Sequence, residues 1–249
     1  MTAPESHILA LEAEELGVSY GNTVVLRGIT LRVEQGAIAV IVGPSGCGKS
    51  TLLKTAIGLK EASTGTIRVL GTDLCSVEEE DQNTIKRRIG VMFQYGALLN
   101  SLTVGENVAL PLEMHTNLES ALIRDIVRTR LHLVGIDATI DMHPAELSGG
   151  MRKRAALARA MVLDPDILFC DEPGAGLDPV TASEIDRLLL TVNQSLGIAV
   201  VIVTHELLSI ERLGGQLLML SEGELLFSGP TNEALNSARP DLFRFFHPK

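Results

Sequence analysis

A glycine-rich segment, Gly43-Pro-Ser-Gly-Cys-Gly-Lys-Ser-Thr51, fits the pattern G-x-x-x-x-G-K-[ST], which is typical of nucleotide-phosphate binding. It follows the apolar stretch Ala37–Val42 and precedes a helical pattern over Lys49–Gly58, which is the context that this motif requires. Glycines let backbone N–H groups point at phosphate oxygens near a helix N-terminus. The residues expected to contact the phosphates are Gly43, Pro44, Ser45, Gly46, Cys47, Gly48, Lys49, Ser50 and Thr51. We expect Lys49 to reach the β- and γ-phosphates, and the Ser50 hydroxyl to coordinate Mg²⁺.

Two carboxylates follow a second apolar stretch, Ile167–Cys170. A buried strand would place Asp171 at its carboxyl end, where open α/β sheets bind their ligands. We expect Asp171 to hold the Mg²⁺ shell and Glu172 to act as the general base for an attacking water. Two acids at a strand end would mean little alone, but together with the phosphate loop they favour a catalytic role.

His205 follows a further apolar stretch, Val200–Thr204, and is therefore expected at a neighbouring strand end, in contact with the γ-phosphate.

Ser148, Gly149 and Gly150 precede an Arg-rich helical pattern over Met151–Leu163. The start of this predicted helix can be an ordinary Ser N-cap or a second anion-binding site, and the residues alone leave both interpretations open. The charged triplet Arg152-Lys153-Arg154 is interpreted as a solvated helix face.

Strand and helix patterns that alternate along the chain predict a mainly parallel sheet covered on both faces. The patterns indicate the following strands: Ile8–Leu11, Val24–Val33, Ala37–Val42, Thr66–Leu70, Gly90–Phe93, Ile167–Cys170, Ile198–Val203, Leu217–Leu220 and Glu224–Phe227. Further helices are predicted over Asn117–Val134, with Asn117 as the cap, over Val180–Leu196 and over Glu206–Arg212. We expect one domain, in which an α/β core (1–94 and 164–249) is interrupted by a helical insertion (95–163).

Composition excludes several classes of protein. The 249 residues carry 21 Lys and Arg against 31 Asp and Glu, a net charge of −10, which argues against nucleic acid as a partner. Cys47, Cys75 and Cys170 are widely spaced and are interpreted as reduced thiols. No apolar run approaches the roughly 20 residues of a membrane span. The acidic N-terminal sequence does not resemble a signal peptide.

The ordered set of motifs resembles that of ABC-type ATPases. The set comprises Tyr20, the phosphate loop, Gln94, Leu-Ser-Gly-Gly at 147–150, Asp171-Glu172, Leu177-Asp178 and His205. The resemblance implies a RecA-like P-loop core with an antiparallel N-terminal β region and an inserted helical subdomain. It implies that Tyr20 stacks on the adenine of ATP and that Gln94 links the Mg²⁺ site to a membrane subunit. It also implies an ATP-sandwich homodimer, in which Ser148, Gly149, Gly150 and Asp178 act in trans on the partner's nucleotide.

Two motifs depart from the usual family pattern. Met151 replaces the Gln that usually ends the signature, and Ala175-Gly176 precede Leu177-Asp178 where Ser-Ala is usual. The flanks Phe93–Leu98, Asn107–Leu112 and Leu147–Arg159, including Met151, resemble ATPases of Mla/Mce-type phospholipid transporters. That likeness implies a polytopic permease, an MCE-domain lipid-binding protein and, in some bacteria, a small STAS-domain subunit. It also implies a peripheral location at the cytoplasmic face of the inner membrane.

Other classes fit the motifs less well. An ABC ATPase serving an importer of amino acids or metal chelates remains the main alternative. ABC proteins of DNA repair need a long coiled coil, for which the segment between Gln94 and Ser148 is too short. Those of translation carry two cassettes in one chain, whereas each motif occurs here once. A P-loop kinase would need neither the Leu-Ser-Gly-Gly segment nor His205.

Overall fold

The computed structural model describes residues 9–74 and 76–247; Cys75 lies outside them. The strands are β1 (Leu9–Tyr20), β2 (Thr23–Glu34), β3 (Ile38–Val42), β4 (Thr64–Val69), β5 (Ile89–Met92), β6 (Ile167–Asp171), β7 (Ala199–Val203), β8 (Gln216–Ser221) and β9 (Glu224–Pro230). The helices are α1 (Lys49–Ala56), α2 (Glu79–Lys86), α3 (Val104–His115), α4 (Ser120–Leu133), α5 (Gly149–Ala160), α6 (Pro179–Leu196), α7 (Leu207–Leu213), α8 (Thr231–Leu235) and α9 (Pro240–Phe246).

A six-stranded sheet forms the centre of the fold, in the order β5-β6-β7-β3-β8-β9. The first five strands in this order pair in parallel, and β9 joins as an antiparallel edge strand. Both faces are covered, which explains the continuous apolar runs. In β6, Ile167 and Phe169 pack on one face while Leu168 and Cys170 pack on the other. The parallel strands therefore bring their carboxyl ends to one edge, as the sequence predicts.

A second sheet of three antiparallel strands, in the order β2-β1-β4, packs over one face of the central sheet. Strand β2 extends the predicted Val24–Val33 by one residue at each end, whereas β1 is far longer than the predicted Ile8–Leu11, of which Ile8 lies outside the described residues. Register shifts along β1 mark bulges that keep the long strand paired with β2. Helix α1 lies between the two sheets and buries Leu52, Leu53 and Ala56 there. The expected α/β fold with an antiparallel N-terminal β region is confirmed.

Helices α3, α4 and α5 pack on one another, on the other face of the central sheet. The apolar pattern does not predict α3, because Gly105 and Pro111 are residues that usually interrupt helices. The helix begins nevertheless with a capping box: Thr103 Oγ1 accepts from the Glu106 N–H, and the Glu106 carboxylate accepts from the Thr103 N–H. The cap predicted at Asn117 is wrong, since α4 begins after Glu119.

The sequence patterns also do not predict helix α2 or the C-terminal helices α8 and α9.

Among the described residues, no helix is long and apolar enough to cross a membrane. Cys47 and Cys170 are buried free thiols, and burial raises the pKa of Cys170.

Candidate functional site: a nucleotide site at the carboxyl edge of the sheet

The phosphate loop leaves β3 at Gly43 and enters α1 at Lys49. Gly48 is the N-cap of α1 and has a φ of 108°, in the region that favours glycine. Gly43 has a φ of 144°, and a Cβ there would lie 2.0 Å from the backbone oxygen of Leu220. The loop therefore needs glycine at both positions, for conformation at Gly48 and for close packing against β8 at Gly43.

Lys49 folds back over the loop. Its Nζ donates to the carbonyl oxygens of Gly43, at 2.7 Å, and of Pro44, at 2.9 Å. The ammonium thus lies over the turn into which phosphates are expected to bind. Ser50 is exposed at the start of α1, as a ligand of an incoming Mg²⁺ would need to be, whereas Cys47 is buried below the loop.

Asp171 ends β6 and pairs with Val203 of β7. Its Oδ1 is buried and, among the described residues, has no hydrogen-bond partner. Burial raises the pKa of Asp171, and the neighbouring Glu172 carboxylate raises it further. Lys54, Lys153 and Lys49 are close enough to oppose that shift. A buried carboxylate oxygen that has no partner among the described residues is a suitable acceptor for a cation that accompanies a polyphosphate.

The side chains present fit a Mg²⁺ ion that arrives with nucleotide. Within 9–74 and 76–247 there is no group of three His, Cys, Asp or Glu side chains that could hold a metal ion unaided. Mg²⁺ usually takes only one or two protein oxygens and completes its shell with substrate phosphates and water. Asp171 and Ser50 supply such oxygens at the same edge of the sheet.

Glu172 and His205 form a hydrogen-bonded pair across two strand ends. The distance between His205 Nδ1 and Glu172 Oε1 is 2.7 Å. The Glu172 side chain is only 12% exposed, whereas that of His205 is 63% exposed. Glu172 has a φ of 49°, which costs a non-glycine residue on the order of 1 kcal/mol. Its N–H donates to the Val203 carbonyl at 2.8 Å, which helps to hold this unusual conformation.

Gln94 and Tyr20 lie at two further strand ends. Gln94 comes two residues after β5, the neighbour of β6 in the sheet. Tyr20 ends β1 and has 47% of its surface exposed. The Lys60 ammonium lies 5.0 Å from the centre of the Tyr20 ring. An exposed ring beside a cation is a suitable surface for stacking a nucleotide base.

Ser148 and Asp178 cap two helices that touch each other. Ser148 Oγ accepts from the Met151 N–H at 3.2 Å and begins α5. Asp178 Oδ1 accepts from the N–H groups of Val180 and Thr181 and begins α6. A Cβ at Gly150 would lie 2.5 Å from Thr181 Cγ2, so these two helix starts pack closely. The helix-cap interpretation of Ser148 is confirmed, and α5 begins two residues earlier than predicted.

Lys153 is a site residue that the sequence analysis assigned wrongly. The interpretation of Arg152-Lys153-Arg154 as a solvated face holds for Arg152, but Lys153 is only 7% exposed. Its Nζ donates to the backbone oxygens of Gln94 and, at 2.9 Å, of Glu172. Burial lowers its pKa, which the nearby acidic groups, Cys170 first, partly oppose. Lys153 lies at helical spacing from Gly150 and Leu157 on the buried side of α5, but a Gly and a Leu beside charged residues give only a weak periodic signal in the sequence.

A phosphate loop, a pair of carboxylates and a histidine at neighbouring strand ends define a nucleotide-hydrolysing P-loop protein. Residues 26–175, more than half of the chain, match the family model described as ABC transporter. The chain belongs to this family and is an ABC-type ATPase.

Curated relatives cover most of the chain. It is 39% identical to the probable ribonucleotide transport ATP-binding protein mkl of Mycobacterium leprae, over 96% of this chain and 69% of that protein. It is 39% identical to the methionine import ATP-binding protein MetN 2 of Paraburkholderia xenovorans, over 96% and 64%. It is 35% identical to the intermembrane phospholipid transport system ATP-binding protein MlaF of Haemophilus influenzae, over 91% and 86%.

Solved structures agree with the family. CbiO1 from Clostridium perfringens, part of the ABC transporter complex cbiONQ, has a TM-score of 0.84 and 30% identity, covering 96% of this chain and 94% of its own. The ATP-binding cassette MJ0796, as a dimer in a post-hydrolysis state with ADP and Pi, has a TM-score of 0.81 and 28% identity, covering 89% and 98%.

Proposed function

We propose that this ATPase hydrolyses Mg·ATP with Glu172 as the general base. The observation that carries the proposal is that the two oxygens of the Glu172 carboxylate lie in different environments. Oε1 is held by His205, whereas Oε2 is buried and has no hydrogen-bond partner among the described residues. A carboxylate fixed through one oxygen can use the other to take a proton from water. Glu172 also lies beside Asp171, where the cation is expected.

The remaining groups bind and orient the nucleotide. The loop Gly43–Thr51 holds the phosphates through its N–H groups, and Lys49 leaves its carbonyl acceptors to face the β- and γ-phosphates. Ser50, Asp171 and Gln94 hold Mg²⁺, which when bound neutralises the charge that develops on the phosphates. Tyr20 stacks on the adenine, and His205 contacts the γ-phosphate while it orients Glu172.

A second copy of the chain completes each site. Residues 95–163 form a helical subdomain whose helix α5 presents Ser148, Gly149 and Gly150 to the partner's γ-phosphate, with Asp178 beside them. The N-terminus of α5 suits an anion, because its N–H groups and its helix dipole both favour negative charge. The dimeric arrangement of MJ0796 supports this part of the proposal. Closure of the dimer around two ATP molecules then drives a membrane permease.

The transported molecule that we propose is a phospholipid. The likeness to MlaF and the signature ending in Met151 support this choice. The expected partners are a polytopic permease, an MCE-domain lipid-binding protein and a STAS-domain subunit, and they place the chain peripherally at the cytoplasmic face of the inner membrane. The likeness to MetN 2 favours methionine import as the second candidate, and that to mkl points to ribonucleotides.

Reconstitution distinguishes these substrates. The full chain is co-purified with its proposed permease and MCE-domain partners, and the complex is placed in phospholipid vesicles. ATP-dependent transfer of a fluorescent phospholipid is expected, and it should be absent when the ATPase carries Glu172→Gln. ATP-dependent uptake of labelled methionine or ribonucleotide, without phospholipid transfer, would contradict the proposal.

A further inference from the structure

Lys153 is a buried cation on the second turn of helix α5. Both of its hydrogen-bond acceptors are backbone carbonyls, one following β5 at Gln94 and one following β6 at Glu172. These two strands are parallel neighbours, so the ammonium joins two adjacent strand ends at the nucleotide edge. A lysine that only neutralised the Asp171 and Glu172 carboxylates would be expected to bond to them directly. Because Lys153 bonds to backbone carbonyls instead, it fixes the positions of the Gln94 and Glu172 backbones.

The backbone of Glu172 is where such fixing matters. The left-handed φ of 49° leaves this residue prone to relax towards an ordinary conformation. Its N–H is held by Val203 and its carbonyl by Lys153. Rotation of the peptide would move the carboxylate away from His205, and displacements of about 1 Å can lower a catalytic rate by about a hundredfold.

Lys153 also connects Glu172 of this chain to the helix that begins at Ser148. It lies five residues after Ser148, which is roughly 7.5 Å along the helix axis at 1.5 Å per residue. One rigid helix therefore carries, at its start, the residue expected to meet the partner's nucleotide and, further along, the group that holds this chain's own Glu172.

We propose that Lys153 is a positioning residue for hydrolysis, which holds the backbone of Glu172 and Gln94 in a fixed relation to α5. The proposal rests on the function proposed above for Glu172. It assigns Lys153 no contact with ATP. Lys153 bonds to the backbone of Gln94 and not to its side chain, and among the described residues it makes no hydrogen bond to the phosphate loop, so loss of the ammonium is expected to lower kcat far more than nucleotide affinity.

Arg154 provides a matched control on the same helix. Its Nη1 donates to the backbone oxygen of Val134 at 2.7 Å and its Nη2 contacts Glu184, so it also links α5 to a neighbouring carbonyl. Neither partner belongs to the nucleotide site. Arg154→Met should therefore destabilise the fold without lowering kcat.

The test compares the full-length variants Lys153→Met and Arg154→Met in Mg·ATP hydrolysis, binding of a fluorescent ATP analogue and thermal unfolding. Methionine retains an aliphatic stem, so the packing of α5 is preserved. We expect Lys153→Met to lower kcat about tenfold or more, since a lost charge-assisted hydrogen bond is felt on this scale. Its affinity for the analogue should change less than about twofold, as for an interaction made only during turnover. If Lys153→Met does not fold, Lys153→Gln replaces it; Gln is shorter and uncharged but keeps an N–H donor, so a smaller loss of kcat at unchanged affinity is expected.

A double variant shows whether Lys153 acts through Glu172. Once Glu172→Gln has removed the base, addition of Lys153→Met should cost no further activity. Near-normal turnover of Glu172→Gln alone would overturn the proposed function itself. An impaired Glu172→Gln together with a Lys153 variant whose kcat equals that of Arg154→Met would overturn only the role of Lys153. Equal losses of kcat in Lys153→Met and Arg154→Met would likewise assign Lys153 to structure alone.

Discussion

His205 Nδ1 lies 2.7 Å from Glu172 Oε1, which joins the carboxyl ends of β7 and β6. The contact leaves the second oxygen of Glu172 buried and unpaired among the described residues. An orphaned carboxylate oxygen is costly in a folded protein and needs an explanation. The need to accept a proton from water provides one, so the two residues together form the proposed hydrolytic pair.

Lys49→Ala is expected to fail at nucleotide binding. The substitution removes the cation that bonds to the Gly43 and Pro44 carbonyls and that should turn to the β- and γ-phosphates when ATP binds. Titration with a fluorescent ATP analogue should show at least about a tenfold weaker affinity, the scale of one lost charge-assisted bond. Unchanged affinity would show that the N–H groups of the loop suffice and that Lys49 acts only in the transition state.

Mixed dimers test whether each site is completed in trans. Ser148→Glu should block closure by repelling the partner's γ-phosphate, while leaving its own phosphate loop able to bind ATP. When Ser148→Glu and Lys49→Ala are on one chain with a wild-type partner, each site carries one defect, so ATPase activity should be minimal. When they are on opposite chains, both defects fall in one site and the other is intact, so residual activity should remain. Equal activity in the two arrangements would leave Ser148 as an ordinary helix cap.

Gly43→Ala is expected to destabilise the fold far more than Gly46→Ala. Both glycines have positive φ, but a Cβ at Gly43 would lie 2.0 Å from the Leu220 oxygen, whereas one at Gly46 would meet no atom within 4 Å. Chemical denaturation without nucleotide should show that Gly43→Ala lowers the unfolding free energy by at least about 2 kcal/mol. Similar losses for the two variants would show that conformation alone, and not packing against β8, requires glycine at Gly43.

Much of the site could be predicted from the sequence because its residues stand next to strands. The phosphate loop, Asp171 and His205 each follow an apolar run, and parallel strands bring their carboxyl ends to one edge. The burial of Lys153 could not be read from a charged triplet, because it depends on where α5 packs against the ends of β5 and β6. Helix α3 was missed for a related reason: a capping box and tertiary packing outweigh the Pro111 within it.

The central claim is that Glu172 is the general base of this ATPase. Its most direct test is phosphate release from Mg·ATP by full-length Glu172→Gln, beside binding of a fluorescent ATP analogue. The exposed Glu224, on edge strand β9, provides the matched control Glu224→Gln. The account predicts that Glu172→Gln binds the analogue normally and hydrolyses ATP at least about a hundredfold more slowly, the usual scale for a lost general base, while Glu224→Gln behaves as wild type. Near-wild-type hydrolysis by Glu172→Gln would contradict it.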